Sequence, residues 1–327
     1  MTNKITLVEA VNQALHYAMS NDPDVVVLGE DVGANGGVFR ATLGLKEKFG
    51  FRRVMDTPLA EALIAGVSIG MAAQGLKPVA EIQFMGFIFP ALEQLMCHAA
   101  RMRNRTRSRL TCPMVVRAPF GGGIHAPEHH SESTEALFAH IPGIRVVIPS
   151  SPKRAYGLLL AAIQDPDPVL FLEPKRIYRA TKQLVPDDGQ ALPLDTCFTL
   201  KEGHDVTLIS WGASVQETLQ AAKDLEESGI SAEVIDLASI KPIDYNTILA
   251  SVQKTGRCVI VHEAARTGAV SADIAAEVSY HAAVELQAPV ERVTGYDITM
   301  PYYRTEQYYL PNKNDVINAV NKTMEQA

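Results

Sequence analysis

The feature that most constrains this chain is a regular alternation of short β-branched runs with amphipathic stretches. Val25-Val26-Val27-Leu28 and residues 78–84, 113–117, 144–148 and 168–172 read as buried strands, while 7–19, 90–102 and 153–164 carry apolar side chains at three- and four-residue spacings. Consecutive parallel strands need a crossover, so this order predicts a mostly parallel sheet covered by helices. Turn-rich sequence at Pro186, Asp187, Asp188, Gly189 and Pro193 interrupts the pattern. A second alternation follows, with strands at 205–210, 232–237, 257–261 and 289–294 and helices at 214–228, 269–281 and 313–324. The expected organisation is α/β throughout: a first domain over 1–185, a linker over 186–202 and a smaller α/β domain over 203–327.

Composition narrows the function classes. A formal charge of -7 over 327 residues disfavours a general nucleic-acid surface, which needs clustered cations. With 47% hydrophobic and 20% charged residues, the chain can build ordinary cores. The uncharged run over 62–76 is shorter than the roughly 20 residues that span hydrocarbon and reads as a buried helix, so no membrane partner is expected. Residues 1–6 lack the basic flank and apolar core of a secretory leader, which points to a cytoplasmic protein. Cys97, Cys112, Cys197 and Cys258 are widely separated and read as reduced thiols.

Several residues invite a chemical reading beside a structural one. Thr57-Pro58 has the form of a helix start, which puts Glu61 in the first or second turn. There its carboxylate either complements the helix N-terminus or serves catalysis in an apolar setting that alters its proton affinity. Gly66 and Gly70 permit close approach of a backbone or a cofactor ring. Phe84, Phe87 and Phe89 are core residues or the wall of an aromatic slot. His125, His129 and His130 follow Gly121-Gly122-Gly123 in a polar loop that lacks HExxH and GxSxG spacing, so neither zinc nor a serine nucleophile follows. The chain also lacks GxGxxG and Walker phosphate loops. Arg101, Arg103, Arg105, Arg107 and Arg109 suit a solvated face, a subunit contact or an acidic protein partner.

Taken together, Gly36-Gly37-Val38-Phe39-Arg40, Asp56-Thr57-Pro58-Leu59-Ala60-Glu61, Glu81-Ile82-Gln83-Phe84, the loop over 125–133, Leu172-Glu173-Pro174-Lys175-Arg176 and Tyr309-Leu310-Pro311-Asn312-Lys313 resemble the beta subunits of thiamine-diphosphate-dependent 2-oxo-acid dehydrogenase E1. The resemblance covers essentially the whole chain. It implies a transketolase-like pyrimidine-binding domain followed by a transketolase C-terminal domain. It assigns Glu61 to the aminopyrimidine N1′ of thiamine diphosphate, Phe87 to that ring's face, Glu30 to the cofactor side, and His130 to the channel shared by substrate and lipoyl group. His129 is a weaker candidate, and His125 is expected to shape the loop.

The same resemblance associates Met114, Ala162, Asp165 and Asp167 with a structural potassium ion, although two neighbouring carboxylates would equally satisfy a turn or salt bridge. The family's diphosphate-binding GDG pattern is absent from the sequence. An alpha subunit is therefore implied as the source of the diphosphate and magnesium half, in an alpha2-beta2 heterotetramer that acylates the lipoyl groups of an E2 acyltransferase. Pyruvate is the leading substrate, a branched-chain 2-oxo acid the runner-up, and a noncatalytic E2-docking subunit the reading from a different class.

Overall fold

The computed structural model describes residues 4–325. It divides into two compact units: one runs to Phe120 and resumes over Leu137–Leu194, and the other comprises Gly121–Ala136 and Asp195–Ala327.

In the first unit six parallel strands lie in the order Arg145–Val147, Val169–Pro174, Val115–Phe120, Lys77–Glu81, Val25–Gly29 and Val54–Asp56. Apart from the Val54–Asp56 edge, these strands are buried along nearly their whole length, as a sheet covered on both faces requires. The Leu7–Asn21 helix opens with a capping box, in which Thr6 and Glu9 satisfy each other's exposed groups, and it packs against the Pro152–Gln164 helix. Chain order along the sheet reverses between Val25–Gly29 and Lys77–Glu81. Such a reversal leaves a crevice at the carboxyl ends of the two strands, where open α/β sheets bind ligands.

The second unit repeats the arrangement. Glu291–Gly295, Cys258–Ala265, Val206–Ser210 and Ala232–Asp236 are parallel, and Phe198–Lys201 adds an antiparallel edge. Chain order reverses here between Val206–Ser210 and Cys258–Ala265. A core of Val206, Leu208, Val234, Val259 and Val261 is covered from one side by the Ser214–Glu227 and Lys313–Glu325 helices.

Four expectations change. The helix heralded by Thr57-Pro58 begins later, at Glu61, with Ala60 as its uncapped N-terminal neighbour; the Thr57 hydroxyl instead donates to the Pro58 carbonyl. The 62–76 run is only half buried, since Leu63 and Val67 face outward while Ile64, Ala65, Ser68 and Ile69 face in. Residues 121–136, read as part of the first domain, group with the second unit, because carboxylates of that unit hold the segment's amides. Part of the stretch read as a linker is the edge strand Phe198–Lys201. The Tyr245–Thr255 helix was not read from the pattern, although Asp244 caps its start and Gly256 ends it.

Candidate active site

Three of the residues that the sequence singled out, Glu30, Glu61 and Phe87, follow strands at or next to the first unit's crevice. Glu30 follows the Val25–Gly29 strand directly, and Glu61 is the first residue of the helix that follows Val54–Asp56. Phe87 ends a 3-10 turn, Met85–Phe87, shortly beyond Lys77–Glu81. Burial raises the proton affinity of the Glu30 carboxyl, and the charges of Asp31 and Glu61 raise it further. Glu61 is therefore near enough to be felt by Glu30. Neither carboxylate forms an ion pair or a hydrogen bond with another described side chain. Two half-buried carboxylates without a cation between them can receive a donor from outside.

Phe87 meets Phe84 edge to face at 5.7 Å, and Phe84 meets Phe39 likewise at 5.5 Å. This aromatic file leaves the Phe87 ring partly exposed next to the crevice and holds its plane by neighbouring edges.

Beneath the crevice lies a charged cluster to which sequence reading gave no role. Arg117 is 1% exposed and donates from Nε and Nη2 to the two oxygens of Glu173 at 2.6 and 3.0 Å, and from Nη1 to Glu81 at 2.8 Å. The Tyr178 hydroxyl donates to the same Glu173 at 2.5 Å. Burial weakens Arg117's hold on its proton, but Glu173 and Glu81 outweigh it and raise its proton affinity. Burial and the charge of Glu173 raise Glu81 in turn, against the pull of Arg117. Above this cluster Gly37, at φ +77°, comes so close that an added Cβ would lie 2.9 Å from Glu81 Oε1. Glu81 thus braces the Gly36-Gly37 turn next to Glu30.

His130 belongs to the second unit. It ends a 3-10 turn, Glu128–His130, and is half-buried, while His129 is exposed. His125 pairs through Nδ1 with Glu306 at 2.6 Å and lies edge-on to Tyr303. Its imidazole is a structural clamp.

Met114, Ala162, Asp165 and Asp167 gather around the turn between the Pro152–Gln164 helix and the Val169–Pro174 strand. The Met114 carbonyl accepts from Val169 N, and the Ala162 carbonyl from Asp165 N. Asp165 pairs with Arg145 at 2.8 Å and Asp167 with Arg103 at 2.8 Å. Both carboxylates are thus neutralised by arginines, and among the described residues no group of three or more His, Cys, Asp or Glu side chains is arranged to hold a metal ion. Arg103 and Arg145 account for part of the region's positive charge, and all four cysteines are free.

Comparison with known proteins identifies the class. The family model for the transketolase pyrimidine binding domain matches residues 3–181, and that for the transketolase C-terminal domain matches 196–316. A split-gene transketolase, solved as an inactive beta4 tetramer, superposes with a TM-score of 0.80 at 25% identity over 99% of both chains. A transketolase from Pichia stipitis superposes at 0.70 and 15% identity over 98% of this chain and 46% of that one, which is a likeness of fold. Two successive domains of this kind define a thiamine-diphosphate-dependent, transketolase-like protein.

Full-length relatives narrow the class. The pyruvate dehydrogenase E1 component subunit beta of Acholeplasma laidlawii is 53% identical over 318 residues, covering 97% of each chain. Its counterpart in Bacillus subtilis is 47% identical over 322 residues, covering 98% of this chain and 99% of the relative. The chain belongs to the family of pyruvate dehydrogenase E1 component beta subunits. Among the described residues no helix is long and apolar enough to cross a membrane.

Proposed function

We propose that this chain is the beta half of an E1 enzyme that, together with an alpha subunit, decarboxylates pyruvate and passes the acetyl unit to a lipoyl group on an E2 partner. The observation that carries the reading is the unneutralised pair Glu30 and Glu61 at the strand-order reversal of a pyrimidine-binding domain, with Phe87 following the adjoining strand Lys77–Glu81. A protonated ring nitrogen and an aromatic face are the complements such a pair and such a ring accept, so the residues present fit the aminopyrimidine of thiamine diphosphate.

When bound, the cofactor supplies the nucleophilic carbon and the electron sink for decarboxylation. Glu61 then holds the proton at N1′, Glu30 adds negative charge beside it, and Phe87 fixes the ring plane. His130 donates or accepts a proton, or a hydrogen bond, during transfer to the lipoyl sulfur. A structural potassium ion at the 162–167 turn would draw on the Met114 and Ala162 carbonyls, since arginines hold the two aspartates.

The missing diphosphate motif supports an alpha subunit as the donor of magnesium and the diphosphate half. Exposed apolar side chains at the start of the Glu61–Ala73 helix also support a protein partner: Leu63 and Val67, four residues apart on it, have 45% and 41% of their surface open, and Leu59 just before it has 73%. The acidic overall charge and second α/β unit suit an E2-docking role alongside catalysis.

Reconstitution tests the reading. The alpha-beta assembly should reduce lipoyl domains with pyruvate in preference to branched-chain 2-oxo acids, whereas the beta chain alone should not turn over. Glu61→Ala should slow hydrogen-deuterium exchange at the cofactor's C2 by orders of magnitude. Full activity from the isolated beta chain, or unchanged exchange in the variant, would refute it.

A further inference from the structure

The second unit has its own crevice, between the carboxyl ends of Val206–Ser210 and Cys258–Ala265, and the chain fills it with residues 121–136. Glu263, on the second of these strands, accepts from Gly122 N at 2.9 Å and from the Ser133 hydroxyl at 2.8 Å. Glu306, 2% exposed, accepts from Gly123 N at 2.7 Å and from His125 N at 3.1 Å, besides pairing with the His125 ring. At the far end of the segment Glu135 accepts from Trp211 Nε1 at 3.1 Å. The Glu128–His130 turn hangs between these anchors.

The local sequence is shaped for this seating. Gly121, at φ +85°, passes so close to Glu263 that any side chain would collide, with an added Cβ 2.2 Å from Oε1. His125 adopts φ +60°, an uncommon conformation for a residue with a side chain, and its amide and ring thereby converge on one carboxylate. A buried carboxylate is expensive unless several donors converge on it, and each of these two receives two or three. Both are thereby committed to the loop's backbone and side chains.

We propose that Glu263 and Glu306 are positioning residues for acyl transfer: they hold the glycine-histidine loop preformed, so that the Glu128–His130 turn is presented in one geometry. The inference rests on the role proposed above for His130.

The test uses the reconstituted alpha-beta assembly carrying Glu306→Gln or Glu263→Ala. Glu306 takes Gly123 N and His125 N on different oxygens, so an amide side chain, with one acceptor oxygen, leaves one of these donors without its partner, whereas Glu263 takes Gly122 N and the Ser133 hydroxyl on one oxygen, which alanine removes. Amide exchange at Gly122, Gly123 and His125 should accelerate at least tenfold, and lipoyl-coupled kcat should fall about 10- to 100-fold. Pyruvate oxidation by ferricyanide, which needs no lipoyl transfer, should stay within about twofold, with KM for pyruvate unchanged. Glu306→Asp, which keeps both oxygens, should recover part of the loss.

Unchanged loop exchange, or an equal fall of both activities, would overturn the proposal. Amide exchange reads the anchoring by itself. Failure of the unmodified assembly to acylate lipoyl domains would instead count against the proposed function.

Discussion

Arg117 and Glu173 meet side-on, with two nitrogens of one guanidinium donating to the two oxygens of one carboxylate in a place closed to water. Such a pair is strong once made and costly to break, because removing one partner strands a charge of low solvation. Here the remaining Nη1 holds Glu81, so one arginine bonds both carboxylates beneath the crevice. Arg117→Met should therefore destabilise the chain by about 3–5 kcal/mol. Converting Glu81 and Glu173 to glutamine in the same chain should restore most of that. Urea unfolding of the single and triple variants measures both, and a single variant as stable as the parent would show that the cluster contributes nothing to folding.

Glu135 is a buried acid whose proton affinity is pushed up to about 7 by burial, with Glu263 adding to it, against its own amide and the Trp211 N–H. Its second oxygen is buried without a hydrogen-bond partner. The folded chain then binds a proton that the unfolded chain releases between about pH 4.5 and pH 7. Stability falls as pH rises through that window and is flat above it. The shift corresponds to roughly 3 kcal/mol. Glu135→Gln, which retains an acceptor for Trp211, should be more stable than the parent by up to that amount at pH 8 and by little at pH 4.5. Equal differences at the two pH values would show that the carboxyl does not titrate in this way.

His262 runs the other way. Burial, aided by Arg292 and Arg266, lowers it to about 3, and the neutral ring stacks on Trp211 at 4.9 Å and bonds Ser271 at 2.6 Å. The unfolded chain takes up a proton near pH 6.5 that the folded chain refuses until about pH 3. Stability is fully present above pH 6.5 and is lost progressively as pH falls, by about 5 kcal/mol in all. His262→Gln gives up the ring stack and so starts lower, but the acid-dependent slope between pH 6.5 and pH 4 should flatten. An unaltered slope would place the proton uptake elsewhere.

Much of this arrangement was readable beforehand, for physical reasons. Strand runs such as Val25-Val26-Val27-Leu28 are buried on both faces and carry their signal in composition, and the Thr6 and Glu9 capping box is local. Glu30, Glu61 and Phe87 were assigned through motifs, and the crevice brings the first two close enough to interact. What stayed hidden depends on distant pairing. Arg117 finds Glu173 56 residues away, and Gly122 finds Glu263 141 residues away, so no window of sequence holds both partners. The delayed helix start at Glu61 was missed because Thr57 uses its hydroxyl on the neighbouring Pro58 carbonyl instead of on a helix amide.

The two carboxylates of the crevice give the last prediction. Glu30 is raised first by burial, then by the charges of Asp31 and Glu61. Neutralising Glu61 removes one of the two charges but leaves the burial in place. In Glu61→Gln the side-chain 13C titration of Glu30 should therefore move down in pH and still stop short of an ordinary solvated glutamate. Asp31→Asn should produce a shift in the same direction, and the double variant a larger one. For the raised carboxyl itself, the folded state binds the proton more tightly than the unfolded state, so Glu30 lowers stability as pH rises through its titration, and Glu30→Gln should remove that loss. A Glu30 titration that ignores Glu61→Gln would mean that the pair does not share a crevice, and the assignment of Glu61 to the cofactor ring would lose its structural support.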